Sequence, residues 1–156
     1  MPRMKIETKI KELGFTLPDV PKPVASYIPA VKTGNLVFTA GMLPMVKGKL
    51  AYNGKVGADV SLEDGVKAAE ISLLNGLAAI KGVAGDLDKI VKVVKLSGYV
   101  NSASCFTDQP KVLNGASELL LKIFGDAGKH ARIAIGVNEL PLNACVELDI
   151  IVEVKE

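Results

Sequence analysis

An α+β fold, a mixed sheet with two helices packed on one face, is the class predicted by this 156-residue chain. Three observations carry the prediction. Leu62–Ala84 and Val112–Ile123 repeat apolar residues at three- and four-residue steps, the period of amphipathic helices. Val91–Val100 is rich in β-branched residues, and His130–Val154 holds two alternating runs around a Leu140-Pro141 break. The stretches interleave in the order ββ-α-β-α-ββ, which suits one mixed sheet.

Taken in order, Met4–Leu13 places Met4, Ile6, Ile10 and Leu13 at helical spacing, with Gly14 as a C-cap. Pro18, Pro21 and Pro23 make the following segment extended. Ala30–Lys32 and Leu36–Ala40, around Thr33-Gly34-Asn35, predict a hairpin. Gly41 and Pro44 interrupt the strand pattern, and Lys47–Gly57 predicts a loop or irregular hairpin. Ser61 to Asp64 resembles a capping box with Asp in the place of Glu or Gln. Behind it Leu62, Val66, Ala69, Leu73, Leu77, Ile80 and Ala84 form one stripe, ended by Gly85. Asp108 is positioned to cap the second helix, with Pro110 tolerated in the first turn and Gly125 as the stop. The whole chain, residues 1–156, is expected to form one domain, with 1–22 as an N-terminal extension of short helix plus proline-rich segment.

Composition sets the class. A chain of this length can bury roughly 70% of its unfolded surface. Hydrophobic residues make up 49% and charged ones 23%, as in a globular protein. Aromatics are only 4% and tryptophan is absent, so the core must be aliphatic. A net charge of +2 is too small to imply a polyanion partner by itself, and no nucleic acid is expected. Lys89, Lys92 and Lys95 have no interleaved aromatics and suit a solvated edge better than an RNA surface. Cys105 and Cys145 make neither a disulfide framework nor a metal site, and His130 is the single histidine, so no metal is expected. No apolar run reaches the roughly 18 residues of a membrane span. The N-terminus is charged rather than apolar, so a cytoplasmic protein is the expectation.

The C-terminal runs carry the chemistry. In the first, Ile133, Ile135 and Val137 alternate with Arg132, Ala134 and Gly136; in the second, Val146, Leu148, Ile150, Val152 and Val154 alternate with Glu147, Asp149, Ile151 and Glu153. The aliphatic faces are expected to pack on helices. The small-and-charged faces are expected to meet another subunit, since two helices leave one side of the sheet bare. Arg132 is then either a solvated strand-end charge or a bidentate clamp for a carboxylate. Glu147 is either an outward charge or a group that orients or deprotonates water. Taken as neighbours on adjacent strands, the two would line one pocket. His130 suits an inert surface histidine. Phe124–His130, FGDAGKH, is no phosphate loop: only two residues separate its glycines and no Ser or Thr follows the lysine.

The spaced residues Arg132, Leu140-Pro141 and Val146-Glu147-Leu148-Asp149 resemble the C-terminal signature of the RidA/YjgF family, also called the L-PSP endoribonuclease family. Ser26-Tyr27, Ala30-Val31, Gly34 to Phe38, Gly41 and Leu43-Pro44 are similar to that family's N-terminal motif, and Asn114 to its second-helix asparagine. The resemblance spans Pro23 to Val154. It implies a chorismate mutase-like fold, a homotrimer whose sheets form a central barrel, and ligand pockets at the subunit interfaces. It also implies cofactor-free hydrolysis of reactive enamines and imines, such as 2-aminoacrylate, to 2-keto acids and ammonia. On this resemblance Arg132 holds the substrate carboxylate and Glu147 positions water. Tyr27 and Asn114 reach in from the neighbouring subunit, Gly41 offers backbone contacts, and Ala134 lines the pocket. The chain departs from the pattern at Ala40, Ile133 and Ala134, where polar residues or cysteine are common, and at His130, where proline is usual. Two other functions stay open at this point: a non-catalytic trimeric binder of small carboxylic acids, and RNA cleavage or inhibition of translation, as the family's older name suggests.

Overall fold

The computed structural model describes residues 5–23 and 26–156. Its long helix, α2 (Leu62–Ala84), begins and ends where its sequence signals stand. Ser61 Oγ accepts the Asp64 N–H at 3.1 Å, and Gly85 closes the C-terminus at φ 86°, a conformation most side chains avoid. The shorter α3 (Gln109–Phe124) differs at its start: Asp108 occupies the cap position but makes no side-chain cap bond, and pairs with Lys111 at 3.4 Å instead. The leading helix, α1, covers Ile6–Glu12, while Met4 lies outside the described residues. Ile6 and Ile10 are buried, Ile6 N–H donates to Asp88 Oδ1 at 2.8 Å, and Lys81 meets Glu7 at 2.7 Å. Helix α1 is therefore docked on the domain's own core.

Seven strands follow among the described residues: β1 (Ala30–Thr33), β2 (Leu36–Thr39), β3 (Met45–Val46), β4 (Lys49–Leu50), β5 (Ile90–Asn101), β6 (Ala131–Val137) and β7 (Val146–Val154). The pair β3–β4 is a small separate hairpin whose Lys47 and Gly48 both have positive φ, as a two-residue primed turn requires. The other five form one sheet in the order β1-β2-β7-β5-β6, with β5 and β6 parallel and the remaining pairs antiparallel. Helix α2 covers the β1, β2 and β7 end and α3 covers β5 and β6, both on one face. Beneath them Val37, Val93, Leu96, Val100, Leu148, Ile150 and Val152 are fully buried. The predicted mixed sheet with two helices on one face is the observed architecture. No helix among the described residues is long and apolar enough to cross a membrane.

Two expectations for the C-terminal strands need correction. First, β6 and β7 are not adjacent, because β5 lies between them. The last strand enters antiparallel between β2 and β5, while α3 links β5 to a parallel β6. Second, the faces of β6 are reversed. Arg132, Ala134 and Gly136 align with Leu96, Gly98 and Val100 and point toward α3. Ile133 and Ile135 point away from the helices and remain 40% and 41% exposed. They share this open face with exposed Val31 and Phe38. On β7 the expected alternation holds, with its aliphatic residues buried and Glu147, Asp149, Ile151 and Glu153 on the open face.

Candidate functional site

The six candidate residues fall into two groups at different places on the sheet. The first is built on the edge strand β6. Arg132 NH1 donates to Asn114 Oδ1 at 2.8 Å and to Ser117 Oγ at 3.2 Å, both on α3. Asn114 and Ser117 are one helical turn apart, so a single face of α3 presents both to the guanidinium. Ala134, next on the same strand face, packs against the core. Ser117 is also joined to His130: its Oγ lies 2.9 Å from Nε2, while Nδ1 lies 2.6 Å from the Gly128 carbonyl oxygen. The expectation that Asn114 reaches Arg132 from a neighbouring subunit is corrected here, because the two meet within one chain. His130 is equally not an idle surface group.

The second group lies on the open face and toward the opposite edge. Glu147 on β7 is aligned with Tyr99 on β5 and packs against Gly41, just past β2. A Cβ on Gly41 would stand 2.5 Å from Glu147 Oε1, so only glycine lets the carboxylate lie there. Burial raises the Glu147 carboxyl above the usual range, and the like charge of Asp149 raises it further. Asp149 is itself raised by burial, against the lowering pull of Lys95. Tyr27 precedes the edge strand β1 and is 58% exposed. Within one chain Arg132 and Glu147 therefore sit on opposite faces of the sheet with β5 between their strands, and share no pocket there.

Raised carboxyl groups destabilise the fold when ionised. Between the ordinary Asp range and its raised folded value, the folded chain binds more protons than the unfolded chain, so stability falls as pH rises through that window. Asp149→Asn should raise the thermal midpoint at pH 7, with the advantage shrinking as pH falls to the ordinary carboxylate range. Thermal melts of parent and variant across pH 4 to 8 check this. A lowered midpoint at pH 7 would show that a cation from another chain already stabilises the charge.

Two cavities lie elsewhere. One of about 780 Å³ is bounded by Leu17 to Pro21, the β3–β4 hairpin and α2, and another of about 300 Å³ by Val20, Ile28 and Val83. Neither carries a candidate residue. Cys145 is fully buried and its thiol is pushed up to about 11 by that burial, which leaves it unreactive. Among the described residues no three His, Cys, Asp or Glu side chains gather as a metal site.

Ser117 escapes sequence reasoning. Ser117 follows Asn114 at i+3, the only signal available, and becomes informative only once Asn114 is placed beside Arg132.

Comparison with known proteins agrees with this architecture. A family model described as YjgF/chorismate mutase-like, putative endoribonuclease, matches residues 7–154. The crystal structure of Atu1372 from Agrobacterium tumefaciens, of unknown function, superposes with a TM-score of 0.89 at 48% identity, covering 96% of this chain and 92% of that one. Protein TCP17 of Trypanosoma cruzi is 37% identical over 150 residues, 96% of this chain and 94% of the relative. A 2-iminobutanoate/2-iminopropanoate deaminase of Dermatophagoides farinae is 28% identical, covering 90% and 95%.

Proposed function

We propose, from the premise that this chain belongs to the YjgF/chorismate mutase-like family, that it is a homotrimeric enamine and imine hydrolase with its active sites at the subunit junctions. The observation that carries the reading is the Arg132 fork. NH1 is committed to Asn114 and Ser117, while the side chain stands exposed on an edge strand and its Nε and NH2 have no hydrogen-bond partner among the described residues. That arrangement suits a planar carboxylate. Edge strands β6 and β1 lie at opposite ends of the sheet, so association of copies is what would bring the Arg132 group of one subunit to the Tyr27, Gly41 and Glu147 group of the next. The open face, with Val31, Phe38, Ile133 and Ile135 exposed, supports such an assembly.

In this reading Arg132 takes the carboxylate of a 2-imino acid and Glu147 receives a proton from water as the oxygen attacks the imine carbon. The carbinolamine nitrogen then takes that proton from Glu147, and ammonia leaves as Glu147 removes the hydroxyl proton, giving the 2-keto acid. An enamine such as 2-aminoacrylate first gains a proton at C3 to become the imine. A carboxyl raised by burial is a better base near neutral pH, and the neighbour's guanidinium would keep it ionised. An imine is already electrophilic, so orientation and one activated water suffice without a cofactor. The deaminase relative from Dermatophagoides farinae supports the substrate class. The same reading places the protein in the cytoplasm, where Cys105 and Cys145 stay reduced.

Mixing two inactive variants tests the shared site. Arg132→Ala and Glu147→Gln chains, co-expressed in equal amounts, should regain activity on freshly generated 2-iminopropanoate. About three quarters of the trimers are mixed and each holds one intact junction of three, so roughly a quarter of the parent rate returns. No recovery in confirmed mixed trimers would rule out a site shared between chains. A second reading, a non-catalytic binder of small carboxylic acids, is favoured by Ala40 and Ala134, which bring no polar group to the site. Binding of 2-oxobutanoate with no ammonia released from the imine would decide for it.

A further inference from the structure

We propose that Ser117 and His130 are positioning residues, a hydrogen-bond relay that aims Arg132 at the ligand carboxylate; the inference rests on the carboxylate-binding reading above. The directions of the bonds follow from the atoms. The Gly128 carbonyl oxygen only accepts, so the 2.6 Å contact requires the proton on His130 Nδ1. In the neutral ring Nε2 then carries a lone pair, and the Ser117 hydroxyl donates to it at 2.9 Å. With its proton committed there, Ser117 Oγ turns a lone pair to Arg132 NH1 at 3.2 Å. The second NH1 hydrogen goes to Asn114 Oδ1 at 2.8 Å. Both NH1 hydrogens are thus used on α3. What remains is the edge formed by Nε and NH2, a side-on fork that accepts a carboxylate along one direction.

The far end of the relay is fixed to the same helix. Gly128 is buried against the α3 backbone, where a Cβ would stand 2.4 Å from the Leu120 carbonyl oxygen. Its carbonyl, and through it the His130 ring, is therefore held to the helix that carries Ser117 and Asn114. Without the imidazole, a mid-helix serine ordinarily returns its hydroxyl proton to the carbonyl four residues back, here that of Leu113. The lone pair facing Arg132 would turn with it. His130 acts on the ligand only through Ser117 and Arg132.

Calorimetric titration with 2-oxobutanoate and with its uncharged amide, 2-oxobutanamide, tests the relay. The parent should prefer the carboxylate. Ser117→Ala and His130→Asn should each weaken carboxylate binding roughly tenfold and leave the amide unmoved, so that discrimination collapses. His130→Gln should stay within about twofold of the parent, because its Oε1 can reach the position of Nε2. In the imine assay KM rises while kcat holds. A general loosening of the fold would weaken both ligands alike and leave their ratio unchanged, which would overturn the relay. It is equally overturned if Ser117→Ala and His130→Asn match the parent while Arg132→Ala loses the carboxylate; carboxylate binding by Arg132 would then still stand. If Arg132→Ala binds as the parent does, the underlying reading falls and the relay with it.

Discussion

Arg132→Ala should lower kcat/KM for a 2-imino acid by roughly a hundredfold while leaving the fold intact, because a bidentate pair to a carboxylate carries two charge-assisted hydrogen bonds. The fold is spared for a structural reason. Arg132 is exposed on an edge strand, and its partners Asn114 and Ser117 are only partly buried and can turn to water. Arg132→Lys separates charge from geometry. An ammonium restores the positive charge but not the planar fork, so only part of the lost rate should return. Steady-state kinetics on freshly generated 2-iminobutanoate, with far-UV circular dichroism as the folding control, provide the measurement. Full activity in Arg132→Ala would remove the carboxylate clamp from the mechanism.

How far the sequence speaks depends on whether a residue answers to its own chain or to something outside it. Helix α2 is legible to its ends because a capping serine and a stop glycine act within a few residues of themselves. The buried stripe of β7 is legible because α2 of the same chain covers it. The first run fails under the same rule. Its alternation separates Ile133 and Ile135 from Arg132 and Ala134, but which set turns inward is decided by α3, whose polar Asn114 and Ser117 receive the arginine. Strand order fails for a related reason. Consecutive strands are usually neighbours, yet the parallel β5–α3–β6 unit leaves β7 to enter between β2 and β5. Asp108 shows the local limit: a residue of good capping type spends its carboxylate on Lys111. Of the site, Arg132 and Glu147 stand out from strand alternation, while Tyr27, Gly41, Asn114 and Ala134 come with the family resemblance. Ser117 and His130 depend on contacts no linear motif records.

Gly115→Val should destabilise the chain by more than about 3 kcal/mol, the range of severe overpacking. Gly115 on α3 lies where a Cβ would stand 2.3 Å from the Val66 carbonyl oxygen of α2. Backbone cannot swing aside as a flexible side chain can, so the two helices must part. Gly76, inside α2, is the contrast: its Cβ would meet Ile150 at 3.6 Å, an ordinary contact. There Gly76→Ala should stabilise the chain by about 0.5–1 kcal/mol, since alanine is the better helix former. Two helical glycines thus change stability with opposite sign, which composition and propensity alone would not predict. The consequence reaches the site as well. Parting α3 from α2 shifts Asn114 and Ser117, so Gly115→Ala, the milder variant, should weaken 2-oxobutanoate binding where Gly76→Ala leaves it unchanged. Urea denaturation of the variants, with calorimetry on those that fold, measures both effects. Equal stability of Gly115→Ala and Gly76→Ala would mean that the close approach of the helices is not what requires glycine.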